Sequence, residues 1–227
     1  ETAQPGEWEN PDTWKPCSGG HCGRTGYPDN NVSGTITINH NVTYLGNPPI
    51  NVENRGEIFV NGVTLDNRSN LNVFAGGSFV ATGATVLIGP GVLNVDGVIS
   101  LANSSFTKDG NVVNNNLIEM LEGCYTLETG NFNNFGQVTG NGGVKVLSGN
   151  MNNSGTWSTD VLYYSSGNSS GFLFPASTLE AVDEACRCAV SNCDIEYAYD
   201  FEFKTPGKLS PALLSLSRTY LDVDETG

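Results

Sequence analysis

The chain has 227 residues and a formal net charge of -14, from 24 acidic and 10 basic residues. This length is enough for one substantial domain or two small ones. The shortage of Lys and Arg argues against nucleic acid or an anionic membrane as a partner, and no apolar run reaches the roughly 18 residues of a membrane span. The surplus carboxylates make calcium the one cofactor that composition suggests, although they also serve solubility.

Residues 1–31 carry no strand pattern and are interpreted as an N-terminal cap. Trp8 and Trp14 stand among several prolines, and a Gly-rich loop connects Cys17 and Cys22. Tryptophan side chains bring a large apolar surface that can cover an open core. We therefore expect this segment to close the first coil of the repeat that follows.

Residues 32–175 form a series of short β runs broken by turns. The runs are rich in β-branched and aromatic residues and are bounded by Gly, Asn, Asp or Ser. One position of the repeat, here called the beat, is occupied by Gly or Asn and lies two places before an apolar residue. It recurs in steps of 21, 20, 19, 20 and 19 residues. Its members are Gly56, Gly77, Gly97, Asn116, Gly136 and Gly155, and Gly34 extends it upstream.

This period predicts an all-β fold, a right-handed parallel β-helix of about seven coils. In a stacked solenoid each repeat buries its apolar face against its neighbours, so the period is fixed by the coil. A β-sandwich is the alternative, but it would show no such period. Asparagines precede several members of the beat, and we expect their amides to stack as a ladder between coils. The ladder candidates are Asn114, Asn115, Asn116, Asn133, Asn134, Asn152 and Asn153.

Residues 176–227 are predicted to form a capping helix and a strand extension. Ser177 or Thr178 is a suitable N-cap, and apolar residues at helical spacing follow it. We expect this helix to close the second end of the solenoid. Residues 195–203 alternate apolar with acidic side chains, which predicts a strand. The predicted contacts with a partner, either a second copy or another surface protein, are Tyr197, Tyr199, Phe201 and Phe203.

The six cysteines predict disulfides and an oxidising compartment. Cys17 and Cys22 are close enough for a local bridge. In the cluster of Cys186, Cys188 and Cys193, one of the first two could pair with Cys193 while the other reaches Cys124. Sequence alone does not choose the pairing. A zinc site containing Cys17, His21 and Cys22 is the alternative, but it lacks a convincing fourth ligand.

The N-terminal stretch resembles the opening of β-helical domains in large secreted proteins of Bacteroidetes, and it is similar to the start of the eight-glycine domain of animal surface proteins. The resemblance covers residues 6–175. It implies a cell-surface or extracellular location and an adhesive or carbohydrate-related role, and it assigns no catalytic residue. The motifs that carry it are Gly6-Glu7-Trp8, Asp12-Thr13-Trp14, Tyr27-Pro28-Asp29, Val32 and residues 35–38.

Catalytic chemistry is weakly indicated. Some polysaccharide lyases and hydrolases are parallel β-helices, but the bases within these coils share no phase of the repeat. These bases are His40, Arg55, Arg68, Lys108 and Lys145. Glycoside hydrolysis needs two neighbouring carboxylates, and Glu57, Asp96 and Asn115 lie beside the beat, where they could be neighbours on adjacent coils. Acids beside turn glycines are common for conformational reasons alone, so we predict no catalytic residue.

Glycan binding without catalysis would need exposed aromatic side chains. Several aromatic residues lie late in the repeat, where they could form either an exposed patch or a cluster within the core. They are Phe132, Phe135, Trp157, Tyr163 and Tyr164. The sequence therefore predicts a non-enzymatic extracellular or cell-surface structural or adhesive protein, with self-assembly into a fibre as one form of that role. A carbohydrate-binding module or a glycan-active β-helix is the alternative.

Overall fold

The computed structural model describes residues 1–15 and 26–190, which form an all-β parallel solenoid of about seven coils with one helix near its C-terminal end. The strands are β1 (Gly6–Glu7), β2 (Asn31–Val32), β3 (Thr35–Ile38), β4 (Val42–Tyr44), β5 (Ile50–Val52), β6 (Glu57–Asn61), β7 (Thr64–Asn67), β8 (Leu71–Val73), β9 (Ser78–Thr82), β10 (Thr85–Ile88), β11 (Val92–Val95), β12 (Val98–Ala102), β13 (Ser105–Asp109), β14 (Asn111–Asn114), β15 (Leu117–Thr129), β16 (Phe132–Asn134), β17 (Gln137–Val146), β18 (Met151–Asn153), β19 (Thr156–Trp157), β20 (Val161–Ser165) and β21 (Ser169–Ser170). A short 3-10 helix spans Pro11–Thr13, and helix α1 spans Leu179–Val190.

Three faces run along the solenoid, and on each face a strand pairs in parallel with its equivalent one coil away. Face 1 is made of β3, β6, β9, β12 and β19. Face 2 is made of β1, β4, β7, β10, β13 and β20. Face 3 is an 8-stranded sheet made of β2, β5, β8, β11, β14, β16, β18 and β21. Because β15 and β17 continue round a corner, faces 1 and 2 join into a 13-stranded sheet.

The register places buried side chains directly above one another. On face 1 the inward row starts with Ile36 paired to Ile58, and all of its following members are fully buried. These members are Phe79, Ile99, Ile118 and Val138. Burial of each such side chain stabilises the fold by roughly 1.5–3 kcal/mol. The spacing of the repeat is conserved along the chain because a shift of one residue would move this row out of the core.

The beat marks close contact between coils rather than left-handed turns. A Cβ at Gly56 would lie 2.0 Å from the carbonyl oxygen of Val32, and one at Gly155 would lie 2.0 Å from that of Gly136. None of the five beat glycines from Gly56 to Gly155 has a positive φ. Gly56 and Gly77 do close turns, because their N–H groups donate to the carbonyl oxygens of Glu53 and Phe74. Glycine is favoured there because a side chain would strike the backbone of the preceding coil.

Left-handed backbone occurs at all three corners, and between faces 3 and 1 it falls on Arg55 and Gly76, each directly before a beat glycine. Between faces 1 and 2 it falls on Gly62, Gly83, Asn103 and Glu122. Between faces 2 and 3 a second glycine beat, Gly91, Gly110, Gly130 and Gly149, has positive φ and steps of 19, 20 and 19 residues. A Cβ at Gly110 would lie 2.3 Å from the carbonyl oxygen of Gly91. The corner between faces 2 and 3 therefore needs glycine for both conformation and space.

Asparagine ladders are present, as predicted. Inside the solenoid the side chain of Asn114 donates to Asn134 and that of Asn134 donates to Asn153, each over 2.7 Å. On the outer side of face 3, Asn51 donates to Asn31 over 2.8 Å and Asn152 donates to Asn133 over 2.9 Å. A buried amide must be paired to avoid a desolvation cost, and the repeat supplies the partner one coil away.

Aromatic side chains cover the core at the start of the solenoid. Trp8 and Trp14 are buried with their rings 5.1 Å apart, and Trp8 also contacts Tyr44. The indole N–H groups donate to backbone carbonyls, that of Trp8 to Pro28 and that of Trp14 to Trp8. Because both buried N–H groups are paired, the tryptophans bury their rings without leaving an unsatisfied donor.

The last coil is covered in the same manner. Tyr163 stacks on Phe172 with ring centroids 3.8 Å apart, and its hydroxyl donates to the carbonyl oxygen of Phe174 over 2.8 Å. Trp157 contacts Phe172 edge to face. The core therefore ends in aromatic side chains from the segment that follows β21.

Helix α1 was expected to close the end of the solenoid, but its contacts are with β13, β15, β17 and β20. It therefore lies against the outer side of face 2, where a Cβ on Gly143 would meet Val182 and Cys186. Thr178 accepts a hydrogen bond from the backbone N–H of Ala181, as expected of an N-cap. The helix is not long and apolar enough to cross a membrane, and the described residues contain no other α-helix.

A disulfide joins Cys124 on β15 to Cys186 on α1, which confirms that one member of the C-terminal cysteine cluster reaches Cys124. The other predicted cysteine contacts, which involve Cys17, Cys22, Cys193 and the side chain of Cys188, lie outside the described residues. So does the strand predicted over 195–203, with its contact residues Tyr197, Tyr199, Phe201 and Phe203.

Candidate functional site

The acidic residues considered for catalysis are used in bonds between neighbouring coils. Asp96 and Asn115 are neighbours, as the spacing suggested, and the Asn115 amide donates to the Asp96 carboxylate over 2.7 Å. Glu57 accepts from the Thr35 hydroxyl over 3.0 Å and lies two coils away from Asp96. Within residues 1–15 and 26–190, no group of three or more His, Cys, Asp or Glu side chains could hold a metal ion.

The basic residues of the coils are dispersed. Lys145 forms an ion pair with Asp183 of α1 over 2.7 Å, and Arg68 pairs with Asp66 over 3.1 Å. His40 contacts the Thr2 hydroxyl at the N-terminal end, and Arg55 is exposed. The structure therefore does not bring these bases together.

Lys108 differs from the other bases because it points into the solenoid. Its side chain is fully buried, and Nζ donates to the carbonyl oxygens of Gly89 (2.6 Å), Gly91 (3.1 Å) and Asp109. Burial lowers the pKa of the ammonium to about 8, while the Asp109 carboxylate opposes that shift. The ammonium ties the corner between faces 2 and 3 of one coil to that of the next.

Most of the aromatic candidates for glycan binding belong to the core. Phe132 and Tyr163 are buried, Trp157 packs against the core, and Tyr164 packs beside α1. Phe135 is the exception, with 59% of its surface exposed beside Asn115 and Ser154 of the adjacent coils. The predicted aromatic patch is therefore reduced to one exposed ring.

A surface cleft of about 360 Å³ lies at the corner between faces 2 and 3 in the first three coils. The first coil lines it with Leu45, Gly46, Asn47 and Pro49. The second contributes Arg68, Ser69 and Asn70, and the third contributes Pro90. This volume is at the lower end of the range for small-molecule sites, which is roughly 300–1,000 Å³.

The cleft exists because this corner changes length along the chain. Residues 45–49 connect β4 to β5, residues 89–91 connect β10 to β11, and Gly110 alone connects β13 to β14. The wide first corner extends beyond the narrower ones that follow. We did not predict the cleft from sequence, although the Pro48-Pro49 pair marks the wide first corner and Pro90 lies in the third.

Hydrogen bonds fix the floor of the cleft. The Ser69 hydroxyl contacts the carbonyl oxygens of Asn47 and Pro48, each at 3.1 Å, and the Tyr44 hydroxyl donates to that of Pro48 over 2.8 Å. The Asn70 amide donates to the carbonyl oxygen of Val92 over 2.6 Å. These bonds connect all three coils and hold the lining of the cleft in place.

Comparisons of the chain with protein-family models, with curated proteins and with solved structures find no match.

Proposed function

We propose that this is a non-enzymatic extracellular structural or adhesive protein, whose solenoid presents its side faces to other surface proteins or to glycans. The observation that carries the proposal is that polar side chains form hydrogen bonds between neighbouring coils. Asparagine side chains bond mainly to the neighbouring coil, as in the Asn51–Asn31 contact, and the carboxylates of Glu57, Asp96, Asp109 and Glu119 do the same. A catalytic site would instead need such groups to converge on a reacting atom.

The disulfide supports an extracellular or cell-surface location. Disulfides persist in oxidising compartments and are rare where thiols are kept reduced. The Cys124–Cys186 bridge joins residues 62 positions apart and fixes α1 to face 2. Such a bridge suits a protein that must keep its shape outside the cell.

The aromatic caps favour discrete particles over fibres built through the ends. An open core at the end of a solenoid would present apolar side chains to another copy, and capping residues prevent this. Trp8 and Trp14 cover one end of the core, and Phe172 and Phe174 pack on the other. A fibre of this protein would therefore join through its side faces or through the region 195–203.

A carbohydrate-binding role is the second candidate, and the corner cleft favours it. The cleft combines apolar side chains with amide and guanidinium groups, which is the mixture that holds a small polar ligand. Phe135 adds an exposed ring elsewhere on the solenoid.

One experiment separates binding from catalysis. The purified protein is incubated with an array of extracellular glycans and surface proteins, and both retention and product release are measured. We expect retention of at least one partner, recovered chemically unchanged. Release of shortened or unsaturated sugars would show an enzyme and contradict the proposal. Electron microscopy of the same sample should show separate particles.

A further inference from the structure

The corner cleft has the composition of a site for a sugar ring. Leu45 is 56% exposed, Pro90 is exposed and Pro49 is half-buried, so all three can offer apolar surface to a ligand. The C–H groups on one side of a pyranose ring can pack on such surface, while its hydroxyl groups need polar partners. Asn47, which is exposed at the rim, supplies an amide.

Arg68 gives the cleft a preference for a negatively charged ligand. Its Nε donates to the Asp66 carboxylate over 3.1 Å, and 66% of its side chain is exposed. A guanidinium has five N–H donors, and its planar fork matches a carboxylate in a bidentate pair. One contact with Asp66 leaves donors of this fork for a ligand.

The buried ammonium of Lys108 lies behind the same wall of the cleft. It donates to the carbonyl oxygens of Gly89 and Gly91, the two residues that flank Pro90. The carboxylate of Asp66 offsets part of the positive charge on Arg68. With Lys108 included, this corner has two cationic side chains, each beside one carboxylate, Asp66 for Arg68 and Asp109 for Lys108.

We propose that the corner cleft binds a sugar residue that carries a carboxylate, as in an acidic extracellular polysaccharide. The ring packs on Leu45, Pro49 and Pro90, and its carboxylate pairs with the guanidinium of Arg68. This inference names a ligand for the adhesive role proposed above and rests on that role.

Two matched variants test the site. Arg68→Gln removes the cleft guanidinium, and Arg55→Gln removes an exposed arginine that does not line the cleft. Both variants change the net charge equally. Binding of an oligogalacturonate and of its fully methyl-esterified, neutral form is measured by isothermal titration, and circular dichroism checks that each variant is folded.

We expect the wild type and Arg55→Gln to bind the acidic oligosaccharide alike and more tightly than the neutral one. Arg68→Gln should lose roughly tenfold in affinity for the acidic form, the scale of one charge-assisted contact. Equal losses in both variants would show a nonspecific charge effect and overturn the proposal. Equal binding of the acidic and neutral forms would also overturn it.

The proposed function and the proposed site fail in different ways. If Arg68→Gln binds acidic oligosaccharides as well as the wild type does, the cleft assignment is wrong while glycan adhesion stands. If the wild type binds neither oligosaccharide, the cleft assignment again fails, and retention of surface proteins in the array decides the adhesive role separately.

Discussion

At the scale of the residue, two kinds of glycine support the coils for different reasons. Gly56 lies where the backbones of consecutive coils approach most closely, whereas Gly62 has a φ of 65° and open space around its missing Cβ. Asn103 takes the position equivalent to Gly62 two coils later, with a φ of 47°. A side chain is therefore tolerated at the second kind of position, whereas at Gly56 it would strike the preceding coil, although Asn116 shows that one coil accommodates a side chain in the same phase.

This difference predicts the outcome of two substitutions in the same coil. Gly56→Ala would place a Cβ 2.0 Å from the Val32 carbonyl oxygen, which already accepts a hydrogen bond from Glu53. We expect a loss of about 2–3 kcal/mol in the free energy of unfolding, as for other overpacked sites. Gly62→Asn should lose about 1 kcal/mol or less. Urea denaturation measures both, and equal losses would contradict the distinction.

Lys108 predicts an unusual dependence of stability on pH. Its pKa falls from an ordinary 10.5 to about 8 in the folded protein. Between these values the unfolded chain holds the proton and the folded chain does not, so stability rises with pH. Below pH 8 both states are protonated, and this group adds no slope. We expect a gain on the order of 1–2 kcal/mol between pH 8 and 10.

Thermal unfolding across pH 7–10 measures this effect, with Lys108→Met as the control. The variant should lose the rise, whatever its absolute stability. Burial raises the pKa of Tyr44, Tyr125 and Tyr163, so above pH 10 their ionisation opposes the effect of Lys108. A wild-type melting temperature that falls steadily from pH 8 to 10 would refute the prediction.

At the scale of the element, α1 depends on a covalent bond for its position. Among the side chains that the structure describes, which end at residue 186 in this helix, its buried contact consists of Val182 and Cys186 against Cys124, with Leu162 and Tyr164 beside them. That cluster is small compared with the core of the solenoid, and the Lys145–Asp183 ion pair is partly exposed. The disulfide is therefore the principal attachment of the helix to face 2.

Removal of the bridge should loosen the helix first. In the double variant Cys124→Ser, Cys186→Ser, we expect faster amide hydrogen exchange over residues 179–190, with little change in the first four coils. The loop-entropy relation for 62 residues sets an upper estimate of about 4 kcal/mol for the stability lost. Asp183→Asn is the control and should cost at most about 1 kcal/mol. Unchanged exchange in α1 would show that packing alone retains it.

At the scale of the whole molecule, sequence predicts the solenoid because stacking imposes a period on the chain. Every coil must place an inward residue such as Ile58 above its neighbour Ile36, and that requirement is visible without a structure. The asparagine ladders are predictable for the same reason. Asn134 lies between Asn114 and Asn153 because the register repeats.

Other features depend on distances that a one-dimensional pattern does not contain. The amphipathic pattern of α1 shows that Val182 is buried, but not whether it packs on the end or on the side of the solenoid. The cleft arises because the first corner, 45–49, is longer than the two that follow it, 68–70 and 89–91, rather than from a motif. A glycine in sequence also does not reveal whether it is needed for a positive φ, as at Gly110, or for space alone, as at Gly56.

The bridge between β15 and α1 also determines how the protein responds to tension. A solenoid pulled along its chain unwinds one coil after another, and each released residue adds about 3.3–3.6 Å of length. The Cys124–Cys186 bond removes a span of 62 residues from that extension, or about 200 Å. Under tension the segment between Cys124 and Cys186 would thus remain a short, inextensible anchor while the earlier coils yield. A reducing agent would cleave the disulfide and allow those 62 residues to extend as well.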